Sequence, residues 1–202
     1  MRAFLLNGSP RTEGSTNLLL DNLESLLVAH EFEVEQVCAM NLLSEMETPF
    51  CTHCSSVCQG TCYRDTAVED FFQRLPAADC LVAASPVYFG TVSAQIKALW
   101  DLSRKTRSER GLLYTVGAAL AVGGGRFGGQ ETTIRAIHDM MFIQGMIIAG
   151  DSSSSGIGHQ GVAAEDPASE DANAQKRLRI LAEALSDVAE ATRDMRQSAR
   201  KK

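Results

Sequence analysis

Short apolar runs that end in turn residues, each followed by a segment of helical period, are the feature that most constrains this chain. Ala3-Phe4-Leu5-Leu6 closes in Asn7-Gly8-Ser9-Pro10, and Cys80-Leu81-Val82-Ala83-Ala84 closes in Ser85-Pro86-Val87-Tyr88-Phe89-Gly90. Val116 to Val122 runs into a glycine-rich loop, and Met146-Ile147-Ile148-Ala149 precedes a polar stretch. Runs of this kind read as strands buried on both faces. Leu19, Leu23, Leu26 and Leu27 repeat as one helical face, with Ser15, Thr16 or Asn17 able to cap it. Val68, Phe71, Phe72 and Leu75 form a second such face before Pro76, and Val92, Ile96, Leu99 and Trp100 a third. A further helix is expected from about Glu131 to Ile143, and a last one places Leu178, Leu181, Leu185 and Val188 together. Only Phe32-Glu33-Val34-Glu35, continued by Val37, alternates as a half-exposed strand does. Strands alternating with helices predict an α/β fold with a parallel, doubly wound sheet. The alternating second strand belongs at an edge, which selects the order 2-1-3-4-5 over 3-2-1-4-5 for a five-stranded sheet.

The 202 residues are 45% hydrophobic, too apolar for a disordered chain, and fit a single domain spanning 1–202 with a cysteine-rich loop insertion at about 45–64. Residues 151–173, rich in Ser, Gly, Asp and Ala, are expected to form a long surface loop. With 19 basic against 25 acidic side chains the net charge is −6, and no extended basic stripe is present, so a nucleic-acid partner is not expected. No apolar stretch approaches the length that crosses a bilayer, and the apolar run at the start is too short for a signal peptide, so a cytoplasmic protein is expected.

In such sheets ligands bind beyond the carboxyl ends of the strands at the switch point, here between strands one and three. The loop after the first strand supplies Ser9, Arg11, Ser15, Thr16 and Asn17 next to a helix N-terminus, a donor set that suits a phosphate monoester. Gly14 is followed directly by Ser15-Thr16, without the lysine of a nucleotide-triphosphate loop. A polar loop that only caps the helix is the alternative. After the third strand, Pro86, Val87, Tyr88, Phe89 and Gly90 are apolar and aromatic where loops are usually polar, as the wall for a flat ligand would be. Tyr88 and Phe89 covering the core or a dimer contact is the other reading. Gly123, Gly124 and Gly125 begin a GxGxxG pattern that follows the fourth strand, not the first. They read as backbone approaching a bound ring, or as a plain turn.

Four of the six cysteines crowd into Cys51-x2-Cys54-x3-Cys58-x3-Cys62. Disulfides have little role in a reducing compartment, so this spacing suggests a metal. Four thiolates on a tight irregular loop suit an iron–sulfur cube. Zinc also takes four thiolates, but its ribbons use two C-x2-C knuckles and only one is present here. No metal at all is the third reading. Cys38 and Cys80 read as small buried core residues, and His53 as an exposed loop histidine. His30, His138 and His159 have no Ser/Asp partner visible, so a hydrolase triad is not supported.

Taken together, GSPRTEGSTN, the four cysteines, SPVYFGTVSAQIKALWD and GGGRFGGQET resemble the flavodoxin-like NAD(P)H-dependent FMN reductase superfamily, and within it the iron–sulfur flavoproteins. The resemblance covers roughly residues 1–150 and implies a flavodoxin-like three-layer sandwich. It implies FMN, its phosphate held by Ser9, Arg11, Ser15, Thr16 and Asn17, its isoalloxazine lined by Pro86 to Gly90 and approached by Gly123 to Gly125. It also implies a [4Fe-4S] cluster on the four cysteines, although the family's second gap is more often two residues and here it is three. The expected activity is that of an FMN-dependent oxidoreductase passing electrons between ferredoxin or NAD(P)H and a two-electron acceptor, in a homodimer or homotetramer. The alternatives are an NAD(P)H-dependent FMN or quinone reductase without a cluster, and a non-catalytic FMN electron carrier. No side-chain catalyst is expected, because the chemistry resides on the flavin.

Overall fold

A computed structural model describes residues 1–201. Strands β1 (Arg2–Asn7), β2 (Glu33–Cys38), β3 (Cys80–Pro86), β4 (Val116–Gly123) and β5 (Ile147–Ile148) pair in parallel in the order β2-β1-β3-β4-β5. Successive side chains of a strand face opposite layers, and the sequence exploits this on both sides. Phe4, Leu6, Leu81, Ala83, Ala119 and Ala121 pack in one core with helices α2 (Ala39–Ser44), α3 (Ala67–Arg74), α4 (Ala94–Leu102) and α6 (Gln130–Ile143). Ala3, Leu5, Val82, Ala84, Ala118 and Leu120 face a second core formed with α1 (Ser15–Ala29) and α7 (Ala172–Ala191). Leu19, Leu20, Leu23 and Leu27 of α1 are fully buried there, each stabilising the fold by about 1.5–3 kcal/mol. A short α5 (Arg104–Ser108) follows α4, and α8 (Arg193–Arg200) ends the described chain. Strand β2 lies at the edge, as its alternation predicts.

The fifth strand departs from the expectation. Strand β5 reaches only Val116 and Gly117 of β4, which would leave the far half of an eight-residue strand unpaired along that side. A sixth strand, β6 (Val162–Glu165), pairs in parallel with Leu120 to Gly123 and completes it. The long loop expected over 151–173 therefore contains a strand and the first two residues of α7. Buried backbone groups require partners, and the short apolar run Val162-Ala163-Ala164 supplies them although Ser, Gly and Asp surround it. Cys38 also differs from its reading. It is half-buried, with its Sγ 4.0 Å from the Ser9 carbonyl, whereas Cys80 is fully buried and burial pushes its thiol pKa up.

Candidate functional site

At the carboxyl ends of β1, β3 and β4, three loops enclose a cleft of about 220 Å³. The first loop leaves β1 through Gly8, whose N–H donates to the Ala84 carbonyl (2.8 Å). A Cβ here would lie 2.1 Å from Ile96 Cγ1 and 2.9 Å from the Ala84 oxygen, so only glycine lets the chain pass between β3 and α4. Two asparagines then brace the turn. Asn7 Nδ2 donates to Asn17 Oδ1 (2.5 Å), Asn7 Oδ1 accepts the Ser9 N–H (2.8 Å), and Asn17 Nδ2 donates to the Thr12 carbonyl. Ser9 Oγ accepts the Arg11 N–H (3.1 Å), which keeps its own proton available.

The cap of α1 is Gly14, with no side-chain cap and no acidic residue in the first turn, instead of the Ser15, Thr16 or Asn17 cap anticipated from sequence. The first-turn amides of a helix lack intrahelical acceptors, and the helix dipole adds positive potential there. Arg11 is exposed beside them and makes no ion pair among the described residues. Ser9, Arg11, Ser15 and Thr16 line this end of the cleft, while the amide of Asn17 is spent on bracing the loop.

Pro86, Val87 and Tyr88 line the opposite end, with Gly123 and Gly124 from the third loop. Tyr88 and Thr91 exchange backbone hydrogen bonds (3.0 and 3.1 Å) and close a tight turn, with Phe89 and Gly90 both at positive φ. Phe89 is not among the residues lining the cleft and is fully exposed, as is Phe127 of the third loop. Gly90 and Gly125 lie behind the lining: Thr132 Oγ1 donates to the Gly90 carbonyl (2.7 Å), and Gln130 Nε2 to that of Gly125 (2.8 Å). Buried Ser93 ties the first two loops together. Its Oγ donates to the Gly8 carbonyl (2.6 Å) and caps α4 by accepting the Ile96 N–H.

Sequence reasoning missed Asn7, Ser93 and Asp166. The Ser93-x-x-Ile96 spacing ahead of an apolar helix was a legible cap signal. Asp166 had none, because it comes from beyond β6 to line the cleft beside Ser15.

The cysteine loop runs between α2 and α3 in the chain. Its base is closed where the Ala67 N–H meets Glu45 Oε2 (3.0 Å), and Tyr63 anchors its end in the core, edge-on to Phe72 at 5.3 Å. Arg104 holds its middle through the Ser55 and Ser56 carbonyls (3.0 and 3.4 Å). Cys54 and Cys62 are exposed, Cys51 and Cys58 half-buried, and all four are free thiols. Burial raises the Cys62 pKa, and the charges of Cys54, Cys58 and Cys51 raise it further, so the four thiols share one neighbourhood. They do not, however, converge into a grouping that could hold a metal ion among the described residues. Their donor set, all thiol and free of carboxylate, fits a soft metal or an iron–sulfur cluster. His53 is exposed, as expected.

The sheet order and the cleft at the switch point define a flavodoxin-like protein, with the first turn of α1 at one end of the cleft and Pro86, Val87 and Tyr88 at the other. Solved structures share the fold. RosB with its bound flavin intermediate superposes with a TM-score of 0.75 at 15% identity, over all of this chain and 87% of its own. A WrbA-like flavodoxin from Agrobacterium tumefaciens gives 0.64 at 16%, over 94% and 98%. The family model for NADPH-dependent FMN reductase matches residues 1–160. An iron–sulfur flavoprotein of Methanosarcina thermophila is 36% identical over 94% of this chain and 96% of its own. One from Methanocaldococcus jannaschii is 39% identical over 75% and 77%. The chain belongs to the NADPH-dependent FMN reductase family, in its iron–sulfur flavoprotein branch, and is an FMN-dependent oxidoreductase.

Proposed function

We propose that the switch-point cleft holds FMN and that Cys51, Cys54, Cys58 and Cys62 hold a [4Fe-4S] cluster, so that electrons pass between the two. The observation that carries this reading is the single cleft lined by three loops, with phosphate donors at one end and Pro86, Val87 and Tyr88 at the other. Arg11, Ser9, Thr16 and the first-turn amides of α1 bind the phosphate, while Asn7 and Asn17 keep that loop in shape. Pro86 to Tyr88, with Gly123 and Gly124, orient the ring and exclude water from one face. Bound FMN supplies two-electron and one-electron chemistry, and the cluster single electrons.

In this reading ferredoxin or NAD(P)H is the donor, and a quinone, an oxygen species or another organic two-electron acceptor takes the electrons. The exposed Phe89 and Phe127, on the second and third loops, favour a homodimer or homotetramer that covers them. One domain in the cytoplasm, where thiols stay reduced, completes the proposal. No helix among the described residues is long and apolar enough to cross a membrane.

A second reading, an NAD(P)H-dependent FMN or quinone reductase without a cluster, is favoured by the unconverged thiols. Anaerobic purification separates the two. The proposal expects acid-released flavin to run as FMN, together with iron and acid-labile sulfide. FMN without iron would leave the second reading, and a protein that takes up no flavin would sink both.

A further inference from the structure

Asp166 lines the cleft and bonds to residues at both of its ends. Its N–H donates to the Gly123 carbonyl (2.9 Å) at the ring end, and its carboxylate accepts the Ser15 hydroxyl at the phosphate end. Ser15 Oγ also accepts the Ala168 N–H (3.0 Å), so its one proton is directed at Asp166. The turn that carries Asp166 is held from several sides. The Glu165 N–H donates to Asp171 Oδ2 (3.0 Å), Gln175 Nε2 to the Ala168 carbonyl (3.0 Å), and Gln130 Nε2 to the Ala164 carbonyl (3.1 Å). The turn is thus fixed in place at the cleft wall, and the exposed carboxylate is held on it by Ser15.

Neither end of FMN suits a carboxylate. A phosphate repels it, and an isoalloxazine over Val87 and Tyr88 offers it little. Between them runs the ribityl chain, whose hydroxyls are donors. An ionised carboxylate accepts in about four directions. The contact from Ser15 uses one of them and already shows an alcohol donating at this point.

Resting on the reading of the cleft as a flavin site, we propose that Asp166 contacts the flavin, accepting a hydrogen bond from a ribityl hydroxyl. It makes the site selective for a ring that carries a polyol, with Ser15 positioning the carboxylate. Asp166 is exposed and makes no core contact, so its replacement spares the fold.

The test compares FMN, riboflavin and lumiflavin, which has the ring without the polyol, by flavin-fluorescence titration of the wild-type protein and Asp166→Ala. Far-UV circular dichroism monitors the fold. Riboflavin is expected to weaken about tenfold for one bond to a charged acceptor, FMN by less because the same replacement relieves repulsion of its phosphate, and lumiflavin is expected to stay unchanged. Asp166→Asn, which keeps an acceptor oxygen, is expected to recover part of the riboflavin affinity. Equal weakening of lumiflavin would reduce Asp166 to a structural role. Unchanged riboflavin, with or without tighter FMN, would also overturn the proposal. Failure of the wild-type protein to bind any of the three would instead overturn the flavin reading of the cleft.

Discussion

The two loops on either side of β2 solve different problems. Residues 8–17 are held by the chain alone: Asn7, Asn17 and Ser93 bond to the loop itself, and Gly8 threads a gap with no room for a Cβ. The cysteine loop is fastened at its base by Glu45, at its end by Tyr63 and at its middle by Arg104, yet its thiols stand apart, two of them exposed. A phosphate site can be preformed because backbone amides at a helix terminus are fixed before the ligand arrives. A four-thiolate site is seldom preformed, because crowding thiolates is unfavourable until a cation neutralises them. Burial raises the Cys62 pKa most, and the neighbouring Cys54, Cys58 and Cys51 add to it.

This contrast can be broken at several points. The largest effect is expected from Cys54→Ala, which removes one of four thiolates. Iron, sulfide and the broad brown absorption should fall to background while the yellow flavin bands stay, measured by metal analysis and visible spectroscopy. Loss of the flavin along with the iron would show that the two regions are not independent. Next is Arg11→Ala. Removing a charge-assisted bond to phosphate should weaken FMN roughly tenfold to a hundredfold in a fluorescence titration and leave riboflavin nearly unchanged. Equal losses for both ligands would place Arg11 away from the phosphate.

Gly8→Ala should cost about 1–3 kcal/mol through overpacking against Ile96, read as a lower thermal midpoint. A neutral result would mean that the first loop is less rigid than its bonds imply. The smallest effect concerns the scaffold. His138 on α6 is buried with Nε2 unpartnered, and burial lowers its pKa. The unfolded chain therefore takes up a proton that the folded chain resists. Stability should be fully present above the ordinary histidine pKa and decline as pH falls through the lowered value. His138→Gln should flatten that slope in denaturant titrations across mildly acidic pH.

Much of this architecture was legible because β1, β3 and β4 are apolar on both faces and β2 alternates, which together fix the layers and the edge. The three loops that line the cleft were legible because each directly follows one of those strands. What escaped reading depends on distant partners. Strand β6 is four residues long and exists because β5 leaves β4 incomplete. Asp166 reaches the cleft only through that strand. Ser15 and Asn17 looked like ligand donors by type, but tertiary contacts with Asp166 and Asn7 engage their side chains. Phe89 looked like part of the wall, but it lies in a tight turn at positive φ, fully exposed and outside the cleft lining.

Amide hydrogen exchange on the two loops, compared between anaerobically loaded protein and the same protein stripped of iron, tests the contrast most directly. The account predicts that residues 51–62 gain strong protection on loading while residues 8–17 exchange at the same rate in both samples. Equal protection of both loops, or a cysteine loop already protected without iron, would contradict it.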